Sequence, residues 1–176
     1  MNLHWRAKNG WAVELAELRD TRIVSILPTE PRTMTSLLVW TKTQLRSVAA
    51  PGVDADKLVQ MTGGAQQERA LVCGERSGAT FVRQDGVACN FRIVVRELKG
   101  KLELLSYVLH LDAPKDHAVG PRFLRWEYSP ERKTNVDAVK EPLAHLHPGH
   151  DHVRVPSAVL SPRELITVFL TLEIWK

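Results

Sequence analysis

Residues 88–112, ACNFRIVVRELKGKLELLSYVLHLD, carry the strongest structural signal in the chain. In the first half Phe91, Ile93 and Val95 share one face of an extended chain, and Arg92, Val94 and Arg96 share the other, because successive strand side chains point to opposite sides. The Phe91 face belongs to a core. Lys99-Gly100 supplies a turn, and residues 102–112 follow as a second strand. There Leu105, Tyr107, Leu109 and Leu111 oppose Leu102, Leu104, Ser106, Val108 and His110, so both faces are largely apolar and the strand is expected near the middle of a sheet. His110 is read either as a hydrogen-bonded structural histidine or as part of a functional face.

The pattern repeats on both sides of this pair. Segments 69–74, 79–84 and 122–128 are β-like, separated by turn residues at Ser77-Gly78 and Asp85-Gly86; the latter suits a type I′ hairpin, since both residues tolerate positive φ. Five strands with short links imply an antiparallel meander. In 122–128, Leu124, Trp126 and Tyr128 alternate with Phe123, Arg125 and Glu127. The first set is read as core rather than as a base-stacking platform. Arg125 with Glu127 is an ion pair or a general-base arrangement.

Helices flank the sheet. Ser161-Pro162-Arg163-Glu164 is a capping box with proline at the first helical position, which starts a helix from Pro162 to about Trp175. That helix is apolar almost all round, so it is either enclosed by the fold or also packed against a partner subunit. Leu37, Leu38, Trp40, Leu45 and Val48 fit a helical stripe over 35–49, although Thr33, Thr35, Thr41 and Thr43 favour a strand. Asp54 caps a short helix through about Met61, stopped by Gly63-Gly64. Segments 11–18 and 22–27 read as two strands. The expectation is an α+β fold: an antiparallel sheet of about five strands packed by the C-terminal helix and one or two further helices. Residues 1–60 form an N-terminal strand pair and helix, as a small lobe or an extension of the sheet, and residues 61–176 the main domain.

The chain has 176 residues, enough for one full core, and its 44% hydrophobic and 25% charged residues match an ordinary globular protein. No apolar run of about 18 residues and no secretory leader is evident, so no membrane association is expected and the cytoplasm is the expected location. Cys73 and Cys89 are the only cysteines, too few for a cysteine-built zinc site, and are read as buried thiols. A net charge of +4 and a pI near 9.3 lean toward polyanionic partners.

Four of the seven histidines fall at His145, His147, His150 and His152, around Pro148-Gly149. Residues two apart share a side of an extended chain, so each pair aims two imidazoles together. A tight reversal at Pro148-Gly149 would converge all four, but proline's φ suits a looser loop better than a two-residue hairpin. Three readings stay open: a polar surface loop, acid–base catalysis, and a divalent metal site for zinc, nickel or copper to which Asp151 adds an oxygen ligand.

The segment from Phe123 to Phe169 resembles the TumE-type toxins of bacterial toxin–antitoxin systems. The shared features are an aromatic strand ending in Arg125-Trp126-Glu127, a charged loop, the histidine cluster at 145–152, a short strand and a capped C-terminal helix. The resemblance covers the last third to half of the chain, and the N-terminal region of about 60 residues departs from the family. It implies an intracellular toxin-like protein recognised by a cognate antitoxin, with nucleic acid as target, and carries no catalytic assignment. The leading expectation is a metal-independent ribonuclease without cofactor. In it one of His145, His147, His150 or His152 takes the 2′-hydroxyl proton, Arg125 or Arg154 holds the phosphate, and Arg92 and Arg96 extend the basic surface. The alternatives are a non-enzymatic adaptor or subunit of a larger nucleoprotein or defence complex, docking as a homodimer or on a protein partner through the C-terminal helix, and a metal-dependent hydrolase using zinc or another divalent metal at the same histidines.

Overall fold

Strands β4 (Ala88–Leu98) and β5 (Lys101–Asp112) form the long antiparallel hairpin at the centre of the sheet. The computed structural model describes residues 31–63, 68–74, 80–99, 101–117, 120–130, 144–173 and 175. These belong to the compact unit Pro31–Lys176. The two strands expected within 1–30 lie outside the described residues.

The sheet has eight strands rather than about five. Before the central hairpin come β1 (Val59–Gly63), β2 (Glu68–Cys73) and β3 (Phe81–Val82); after it come β6 (Phe123–Tyr128), β7 (Ala144–Pro148) and β8 (Val155–Pro156). The order is β1-β2-β4-β5-β6-β7-β8, with β3 also paired to β4, and each pairing is antiparallel. The additional strands are short or edge-placed. Asp54 does cap a helix, accepting from the amides of Asp56 and Lys57, but that helix, α2 (Ala55–Leu58), ends early. Val59 onward pairs with β2 instead, because sheet pairing and the complete burial of Val59 outweigh the local helical preference.

Helices α1 (Met34–Arg46) and α3 (Pro162–Thr171) cover one face of the sheet. Thr33 and Ser36 form a reciprocal cap at the start of α1, and Ser161 and Glu164 do the same for α3. Leu37 and Leu45 of α1, and Leu165, Ile166 and Phe169 of α3, are fully buried against Phe91, Ile93, Tyr107 and Leu109. The surplus apolar residues Val168, Leu170 and Leu172 also pack on this core, which accounts for the near-uniform hydrophobicity of α3. Buried Arg83 donates to the carbonyls of Phe169 and Leu172 while pairing with Asp85, so the last turn of α3 has its open acceptors satisfied.

The apolar residues on both faces of β5 have a different cause from burial on two sides. Val94 pairs with Ser106 and Val95 with Leu104, so Leu105 is an extra residue in a β-bulge. The half-period shift turns Leu102 and Leu104 onto the same core side as Tyr107, Leu109 and Leu111. Trp126 and Tyr128 also pack on the core. Cys73 and Cys89 are buried free thiols; burial pushes the Cys73 thiol up to about 12 and raises Cys89 well above the ordinary range. Among the described residues no helix is long and apolar enough to cross a membrane.

Candidate functional site

Alternation on β6 sends Leu124, Trp126 and Tyr128 toward the helices and Arg125 and Glu127 to the opposite face. On β7, Ala144 and Leu146 pair with Tyr128 and Trp126 on the core side, leaving His145 across from Glu127 and His147 across from Arg125. Facing side chains on antiparallel neighbours stand within contact reach. Two titratable pairs are therefore set side by side on the face away from α1 and α3.

The contacts are specific. Arg125 Nε lies 2.6 Å from Glu127 Oε1, and Arg125 Nη1 donates to Asp151 Oδ1 at 2.6 Å. Glu127 Oε2 is 3.6 Å from His145 Nε2. The rings of His145 and His147 meet edge to face with centroids 4.8 Å apart. Donor atoms of Glu127, His145 and His147 all lie within 4.8 Å of one another. His145 is 5% exposed and His147 only 1%. Both ring nitrogens of His147 lack a hydrogen-bond partner among the described residues. Buried polar atoms are nearly always paired, so this vacancy calls for a functional account. Burial, and secondarily the Arg125 guanidinium, lower the His147 pKa from its ordinary value, which keeps the ring neutral at neutral pH.

The second histidine pair occupies a different environment. Pro148 ends β7, and the chain reverses across residues 149–154 before Val155 pairs with Leu146, so the reversal is the looser loop rather than a hairpin at Pro148-Gly149. Gly149 has φ +74°, and a Cβ there would come within 3.0 Å of Pro121 Cβ, which excludes other residues without strain. His150 and His152 are exposed, with ring centroids 5.4 Å apart, and the amide of His152 donates to His150 Nδ1 at 3.3 Å. Asp151 ties this turn back to Arg125, whose guanidinium holds the Asp151 carboxyl below the usual carboxylate range.

The four histidines thus form an inner pair and an outer pair. Arg125 is at the centre but bridges two carboxylates and does not present an open fork to a phosphate. Arg154 is exposed on the outer turn. Arg92 stands in the row Arg92, Val108, Glu127, His145, which places its backbone two strand spacings, about 10 Å, from Glu127. Arg96 is engaged with Glu68 and Glu103 on β2 and β5, away from the cluster. His110 lies directly across from Arg125 on the same face, but its ring stacks on Phe123 and its Nε2 is 3.0 Å from Asp112. Glu127 is the member that the histidine spacing alone does not reveal; its signal is its position opposite a histidine once β6 and β7 are paired. Asp151, expected as an oxygen ligand beside the histidines, serves Arg125 instead. No protein-family model, no curated protein and no solved structure matches the chain.

Proposed function

We propose that the chain is a nucleic-acid-directed hydrolase, of the toxin-like kind that its C-terminal pattern resembles, with its reaction centre at Glu127, His145 and His147. The observation that carries this reading is His147: an imidazole 1% exposed, with neither nitrogen paired among the described residues, beside a carboxylate and a second imidazole. Buried titratable groups with perturbed surroundings cluster at functional sites. The net charge of +4 favours a polyanionic substrate.

In phosphodiester cleavage an oxygen nucleophile loses its proton as it bonds to phosphorus, the bond to the leaving oxygen breaks, and that oxygen takes up a proton. The inner cluster activates the nucleophile. His150 and His152 stand on the exposed turn, open to solvent. Arg154 on the same turn adds positive charge where a phosphate approaches. The inner pair is closed to solvent in this arrangement, so substrate access requires a local rearrangement around it.

Incubation of the protein with labelled single-stranded and duplex RNA and DNA, with divalent ions supplied and then chelated, tests the proposal. Glu127→Gln, which keeps the shape of the side chain, should lower cleavage by about 100-fold or more. No cleavage of any of these substrates, or undiminished cleavage by the variant, overturns it.

A further inference from the structure

We propose that Glu127, His145 and His147 form a binding site for one divalent first-row transition-metal ion. This rests on the same cluster as the hydrolase reading but stands or falls separately. It also departs from the metal-free chemistry expected from sequence.

The donor set is the first reason. Two imidazoles and one carboxylate suit zinc and its first-row neighbours, whereas calcium and magnesium prefer all-oxygen sites and copper(I) prefers thiolates. Three protein donors leave positions open for water or substrate, the pattern of reactive rather than structural metal sites.

Geometry is the second. Zinc bonds of about 2.0–2.2 Å place tetrahedral donors roughly 3.3 Å apart. His145 Nε2 and Glu127 Oε2 are already 3.6 Å apart, and no donor pair in the trio exceeds 4.8 Å. The remaining gap is at most about 1.5 Å for any pair. The unpaired nitrogens of His147 supply the independent sign of a missing ligand.

Charge is the obvious objection, because a guanidinium stands beside the cluster. Arg125 brings one positive charge, but it contacts both Glu127 and Asp151, and counting Arg154, whose charge also reaches His147, two positive charges stand against two negative. The carboxylates on either side of Arg125 thus offset the surrounding guanidiniums, and the charge balance does not oppose a cation. By gripping Glu127 Oε1, Arg125 leaves Oε2 as the atom turned toward the imidazoles, an outer-shell role of the kind that orients metal ligands.

The test is cobalt(II) and zinc(II) titration of untagged, chelator-stripped full-length protein, followed by visible absorption for cobalt and by calorimetry for zinc. The wild type should bind one equivalent with nitrogen- and oxygen-type cobalt bands and gain thermal stability. His147→Ala and the shape-preserving Glu127→Gln, each checked for fold by circular dichroism, should weaken binding by at least about 100-fold, more than loss of an outer-shell partner does. The double variant His150→Ala/His152→Ala should retain the equivalent. Absence of binding by wild-type protein, or binding lost with the outer pair and kept without His147, overturns the site. Metal binding without nucleic-acid cleavage upholds the site and removes the hydrolase reading; cleavage that depends on Glu127 in protein unable to bind metal does the reverse.

Discussion

Two buried polar side chains on opposite faces of this sheet, Arg83 and His147, are treated in opposite ways. On the helix-covered face, Arg83 is 6% exposed and its guanidinium is committed to the Phe169 and Leu172 carbonyls and to Asp85. On the other face, His147 is 1% exposed and has both nitrogens unpaired among the described residues. The first arrangement is what a stable core requires. The second carries a desolvation cost of about 1–3 kcal/mol with no internal compensation. The comparison separates residues that hold the fold from residues held by it.

Substitutions on the helix face should show the largest losses of stability. Phe169→Ala removes a fully buried ring that meets Phe81 edge to face at 5.5 Å, and denaturant unfolding should register a loss of about 3–5 kcal/mol. Arg83→Met keeps the stem but strands two carbonyls and Asp85, and should cost about 3 kcal/mol. The same variant sharpens the pH behaviour. Arg83 holds the Asp85 carboxyl below the usual carboxylate range, so its contribution is present above the unfolded value near 3.9 and is lost as pH falls through the lower folded value. Stability-against-pH curves of wild type and Arg83→Met should therefore approach each other at the acidic end, leaving the part owed to the two carbonyls. If they stay parallel, the pair is not the source.

Between the two extremes lies the turn after β7, tied to Arg125 through Asp151. Gly149→Ala demands both a positive φ and a contact at 3.0 Å with Pro121, and should cost about 1–2 kcal/mol by the same unfolding measurement. Unchanged stability would show that the turn has other conformations available.

The central hairpin was legible from sequence because its alternation is strict where the partner strands are regular. Phe91, Ile93 and Val95 face the core as their spacing implies, and the Ser161–Glu164 cap begins α3 as its residues imply. The bulge at Leu105 was not legible, since a leucine between leucine and serine carries no local mark and only the pairing with β4 exposes the shift. Likewise the β1 strand lay hidden behind the Asp54 cap, because burial of Val59 against distant residues decided its state. The histidine cluster is visible in the sequence at once. Its division into inner and outer pairs, and the place of Glu127, depended on the register between β6 and β7, separated in sequence by a charged stretch whose length fixes nothing.

The central claim is that His147 is retained for chemistry rather than for the fold. Replacing it with leucine, of similar size and without polar atoms, tests this with one urea-unfolding comparison in metal-free protein. The account predicts stability equal to wild type or up to about 1 kcal/mol higher, since an apolar group relieves an unpaired buried one. A loss of about 2 kcal/mol or more would contradict it, by showing that the imidazole is a structural member of the fold.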